Sequence, residues 1–99
     1  MDIIEELGVC ELLCGLAEEA SELSQAALKL RRAIDNKNPT PKTCSECCDN
    51  INEEIADCKL ILELLGFMEP DALKVQDKIK EHKKARWISR LEMSKQKGE

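Results

Sequence analysis

At 99 residues and 11.2 kDa the chain has the size of one domain, which leaves no room for a second. It is 42% hydrophobic and 35% charged but only 2% aromatic, a balance that suits helices packed on helices and disfavours a β-sandwich or barrel. The net charge of −5 argues against a nucleic-acid polymer or an anionic membrane as partner, although residues 1–73 hold 16 acids and 6 bases while residues 74–99 hold 9 bases and 4 acids.

In chain order, Asp2 is placed to cap a first helix, with Glu5 three residues on, and apolar residues recur at helical spacing as far as Ile34. Gly8 and Gly15 are the points where that helix would break or bend. The run Asp35-Asn36-Lys37-Asn38-Pro39-Thr40-Pro41-Lys42 is the one clear loop, near 35–43, because its prolines and local hydrogen-bonding side chains oppose helix continuation. Thr43 or Ser45 then caps a second helix running to about Leu65 and ended by Gly66. Pro70 opens a third helix, near 71–97, that carries the basic residues. The expected fold is a small all-α bundle of three main helices, one domain over 1–99, with a four-helix bundle completed by oligomerisation. No run approaches the ~18 apolar residues of a membrane span, and Met1-Asp2-Ile3-Ile4-Glu5-Glu6 lacks the basic flank of a signal peptide, so a cytoplasmic protein with reduced cysteines is expected.

The first two helices share a pattern. Leu16, Ala20, Leu23, Ala27, Leu30 and Ile34 follow a 4-3-4-3-4 spacing, and Ile51, Ile55, Cys58, Leu62 and Leu65 follow the same rule 35 residues later. Counted from the first residue of each stripe at ~100° per residue, Glu19 and Glu54 lie near −60°, and Glu22 and Asp57 near −120°. Two helices therefore carry matching acidic pairs beside matching seams. Packed antiparallel, they bring four carboxylates together at one flank of the contact, an arrangement that is costly without a cation. Hard oxygen donors on adjacent helical turns suit Mg²⁺ or Mn²⁺.

These segments, Gly15-Leu16-Ala17-Glu18-Glu19-Ala20-Ser21-Glu22-Leu23 and Asn50-Ile51-Asn52-Glu53-Glu54-Ile55-Ala56-Asp57-Cys58, resemble the ExxE…ExxD signature of the MazG-like, all-α nucleoside triphosphate pyrophosphohydrolases. The likeness runs from about Gly15 to Leu91. It implies that Glu19, Glu22, Glu54 and Asp57 hold magnesium and carry catalysis, with Glu18 or Glu53 acting through a water or from just outside the ligand set. It also implies a triphosphate substrate cleaved between the α and β phosphates to monophosphate and pyrophosphate, and a homodimer or homotetramer. The 31 residues between Glu22 and Glu54 make a longer gap than is usual in that family, which the Pro-containing loop is expected to absorb.

The basic helix offers Lys80, Lys84 and Arg86 as phosphate donors, set against the plainer reading of a solvated basic face. Trp87 clusters with Ile88 and Leu91 and is expected to pack rather than stack on a base; His82, on the face of Val75 and Ile79, has no assigned role. For the cysteines the alternatives are small apolar helix residues or a four-thiolate zinc site joining Cys10-x-x-x-Cys14 to Cys44-x-x-Cys47, the first being favoured. For the whole chain the alternatives to the triphosphate enzyme are a phosphoribosyl-ATP pyrophosphohydrolase-like enzyme and a non-catalytic helical dimerisation module.

Overall fold

The computed structural model describes residues 1–98, and among them the regular structure is entirely helical: α1 (Ile3–Leu7), α2 (Val9–Asp35), α3 (Cys44–Leu64) and α4 (Pro70–Lys97). The termini of these helices follow from local chemistry. Asp2 Oδ1 accepts from the backbone N–H groups of Ile4 and Glu5, starting α1. Gly8 then adopts φ +85°, ψ 162°, which side-chain-bearing residues rarely reach, so the expected single helix is divided into α1 and α2. Asn36, in the left-handed region, closes α2.

Of the two caps weighed for the second helix, Thr43 is the one used. Its hydroxyl accepts from the Glu46 N–H while the Glu46 carboxylate accepts from the Thr43 N–H, each at 3.1 Å. The Thr43 N–H, and after it the Thr43 hydroxyl, hold the Glu46 carboxyl below its ordinary pKa. Gly66, at φ +86°, follows the end of α3, and Pro70 occupies the first turn of α4 as expected.

The chain divides into two units, Met1–Gly66 and a second that begins at Phe67. The first unit is a helical hairpin of α2 and α3 with α1 at its start. Gly15 lies near Ile61, and the Glu19–Glu22 turn lies near Glu54, so the helices run antiparallel. The second unit is α4 and its lead-in, where Gln76 Nε2 donates to the Phe67 carbonyl.

The packing stripes differ from the expected ones in alternate members on α2 and at Ile55 on α3. On α2 the inward stripe of buried or half-buried residues includes Leu12, Leu16, Glu19, Leu23, Ala26, Leu30 and Ala33; on α3 and its cap it includes Cys47, Ile51, Glu54, Cys58, Ile61, Leu62 and Leu65. Ala20, Ala27 and Ile34, expected in the seam, are exposed, Ile34 by 68%, as is Ile55. The periodicity and the 35-residue offset hold, with Leu12 matching Cys47 and Leu30 matching Leu65. The helices are rotated so that a glutamate, not an alanine or isoleucine, faces inward at the middle of each.

Gly15 does not bend α2, and a Cβ there would stand 3.4 Å from Ile61 Cδ1 on α3. That is ordinary contact, so Gly15→Ala is expected to stabilise the hairpin by about 0.5–1 kcal/mol through helix propensity. Thermal denaturation checks this: a higher Tm is expected, and a lower one would mean that the helices meet too closely for a methyl group.

Candidate metal centre

The rotation places Glu19 and Glu54 inside the seam rather than at its flank. One carboxylate oxygen from each of Glu19, Glu22 and Glu54 lies within 4.8 Å of the others. Glu19 and Glu54 are half-buried and Glu22 is exposed, so the cluster opens to solvent on the Glu22 side. Glu19 Oε2 and Glu54 Oε2 are both buried without a hydrogen-bond partner among the described residues. A buried carboxylate oxygen left unpaired is costly, and here two face the same small space.

The electrostatics follow from that crowding. Burial, then the charges of Glu22 and Asp57, push the Glu19 carboxyl up to about 7. Glu54 is raised as well, first by burial and then by the Glu22 charge. The Cys58 thiol, which shares the α3 seam with Glu54, is raised by burial and by the charges of Glu19, Glu54 and Asp57. It therefore stays protonated at neutral pH and forms a neutral wall of the cluster. Apolar patterning places Cys58 in the seam, and its matching partner on α2 is Leu23; its place beside the acids becomes visible only once the helices are paired.

Of the four acids singled out as metal ligands, Glu19, Glu22 and Glu54 come together. Asp57 lies outside that close group of oxygens, near enough for its charge to bear on both Glu19 and Glu54. Glu18 and Glu53 point to solvent; Glu18 shares a shallow groove with Ala17, Ser21, Glu22 and Gln25. A cation fits this arrangement on two counts: the donors are all hard carboxylate oxygens, and two of them lack any other partner.

On α4, Lys80, Lys84 and Arg86 are exposed. Lys80 Nζ stands 3.9 Å from Asp77 Oδ1, an ion pair exposed enough to contribute little. Lys80 and Lys84 border an apolar groove with Ile79, Trp87, Ile88 and Leu91, while Arg86 lies off it. Trp87 lines that groove together with Ile88 and Leu91, its side chain 62% exposed and that of Leu91 54%.

The structure also separates the cysteines. Cys47 is buried in the seam and Cys58 half-buried, whereas Cys10, Cys14, Cys44 and Cys48 are exposed. The reading of small apolar helix residues therefore holds for two of the six. Because Gly15 lies against Ile61, the Cys10/Cys14 end of the hairpin is about 25 Å from Cys44, given 17 residues of α3 at ~1.5 Å each. One chain cannot wrap four thiolates around a zinc ion from those two places. All six cysteines are free, so thiol titration after denaturation is expected to count six and elemental analysis to find no zinc at one per chain.

Compared with protein-family models, with curated proteins and with solved structures, the chain matches none of them.

Proposed function

We propose that the chain is a Mg²⁺-dependent nucleoside triphosphate pyrophosphohydrolase of the MazG-like type, hydrolysing the α–β phosphate linkage to a monophosphate and pyrophosphate in the cytoplasm. The observation that carries this reading is the convergence of Glu19, Glu22 and Glu54 inside the hairpin seam, with two buried oxygens unpartnered. A hairpin with only a structural role gains more from apolar residues at those two positions. In this reading Glu19, Glu22, Glu54 and Asp57 would hold Mg²⁺, or Mn²⁺.

When bound, the ion supplies positive charge to the phosphates and acidifies water. The chain's residues do the rest. Glu19 and Glu54, fixed by their place in the seam, set where the triphosphate is held, and the solvent-facing Glu22 leaves one side open for it. Glu18, in the groove beside Glu22, takes the proton of the attacking water, and Glu53 serves the same end on α3. On α4, the exposed Lys80, Lys84 and Arg86 are donors of the kind a phosphate group takes. No covalent intermediate on the chain is needed.

The apolar stripe of α4, bordered by lysines, supports assembly into a homodimer or homotetramer. Trp87→Ala and Leu91→Ala are expected to lower the assembly state in light scattering and to lower activity with it; a fully active monomer would remove assembly from the reading.

The decisive experiment is a screen of standard and noncanonical triphosphates with Mg²⁺, separating monophosphate plus pyrophosphate from diphosphate plus phosphate. Metal-dependent pyrophosphate release supports the reading. Release of phosphate alone overturns the α–β cleavage in favour of a β–γ hydrolase, and no turnover of any triphosphate overturns the enzyme in favour of a helical interaction module.

A further inference from the structure

Four exposed cysteines are unusual, because free cysteine is among the residue types most often buried. They are arranged as two pairs of the same kind. Cys10 and Cys14 stand one turn apart near the start of α2, and Cys44 and Cys48 one turn apart at the start of α3. The Cys44-x-x-Cys47 spacing that first suggests a chelate is not the working one, since Cys47 turns into the seam at 1% exposure. What remains outside is a Cys-x-x-x-Cys pair on each helix.

The geometry of an i, i+4 pair decides what it can do. On a helix the two Cβ atoms stand roughly 5–6 Å apart. A disulfide needs them at about 3.5–4.5 Å, so closing one would distort the helix. An ion bridging two sulfurs through bonds of about 2.3 Å holds them up to about 4.6 Å apart, which such a pair reaches by leaning both side chains inward. The pairs are thus built for a bridging ion rather than for redox closure. Two thiolates satisfy only half of a tetrahedral zinc site, and the two pairs are too far apart in one chain to share an ion. A soft monovalent ion content with two sulfur ligands has no such shortfall.

We propose that Cys10/Cys14 and Cys44/Cys48 are two independent dithiolate sites for a soft, two-coordinate metal ion of the Cu(I) class. Two thiols each lose a proton to solvent as two sulfur–metal bonds form, and the ion's oxidation state does not change. The acidic cluster is chemically separate: its hard oxygens favour the magnesium class and leave the soft ion to the sulfurs.

The test uses the full reduced chain under argon, titrated with Cu(I) in competition with a chromogenic Cu(I) chelator, while the ultraviolet thiolate-to-copper band is followed. Two ions per chain are expected. Cys10→Ser with Cys14→Ser lowers the count to one, Cys44→Ser with Cys48→Ser lowers it to one, and all four together abolish it. Cys58→Ser leaves the count at two. Helix content by circular dichroism is expected to be unchanged in the paired variants, as all four side chains are exposed. Any Mg²⁺-dependent hydrolysis is expected to persist in them, so failure of the copper sites and failure of the hydrolase reading are told apart. Complete loss of Cu(I) to the competitor, or an undiminished count in the quadruple variant, overturns the proposal.

Discussion

Glu19→Gln, Glu22→Gln and Glu54→Gln are each expected to lower triphosphate turnover at least about 100-fold, since residues one shell removed from a metal already cost 10–100-fold when lost. The substitutions keep size and helix propensity while removing one charged donor. Asp57→Asn is expected to fall in the same direction, and it also removes one of the charges that raise Glu19. The informative feature is the sign of the accompanying stability change. Glu19 and Glu54 are crowded carboxylates in a packing seam, so neutralising either should raise the metal-free Tm while destroying activity. Loss of both activity and stability would instead mark them as structural. Full activity in the Glu19/Glu22 or the Glu54/Asp57 double variant would end the metal-cage account.

The second large effect is a linked dependence of stability on pH and magnesium. In the metal-free fold Glu19 titrates near 7 rather than 4.5, and Glu54 is raised in the same direction. The native state then holds more protons than the unfolded state between those values, so metal-free stability must fall as pH rises from about 4.5 to about 7 and level off beyond. Under the proposed function magnesium is expected to reverse this trend, because it would bind the deprotonated carboxylates of the native state. At 100 times its Kd, any ligand specific to the native state adds about 2.7 kcal/mol, which for a domain of this size corresponds to a Tm rise of at least 10 °C. Thermal scans at pH 5 and pH 8, each with EDTA and with Mg²⁺, are expected to show a small magnesium effect at pH 5 and a large one at pH 8. An equal magnesium shift at both values would dissociate the ion from these acids.

Much of the architecture was legible because it rests on local chemistry. Thr43 with Glu46, Pro70 after Glu69 and the glycine past Leu65 each mark a helix boundary that backbone hydrogen bonding enforces. The facing of the helices was less legible. A stripe chosen by apolarity prefers Ala20 over Glu19 and Ile55 over Glu54, yet the fold turns the glutamates inward and leaves the others in water. The identity and spacing of the acids could be read, but not their depth, because burying a carboxylate runs against every transfer scale. Cysteine misleads in the opposite sense: its usual burial hides that Cys10, Cys14, Cys44 and Cys48 face solvent.

The 35-residue correspondence between the two seams has a consequence for how the hairpin chooses its alignment. Thirty-five residues are five heptads, and a seam with a seven-residue repeat tolerates sliding by one heptad, since apolar residues again meet apolar residues. Glu19 and Glu54 break that degeneracy, because only one register sets them opposite each other. Without a counter-charge that register is the one penalised by repulsion; with a divalent cation between the carboxylates it is the one rewarded. In the proposed enzyme the ion would therefore act as a register pin, much as a single buried asparagine fixes the pairing of a coiled coil, and magnesium would select the alignment of the helices that bind it.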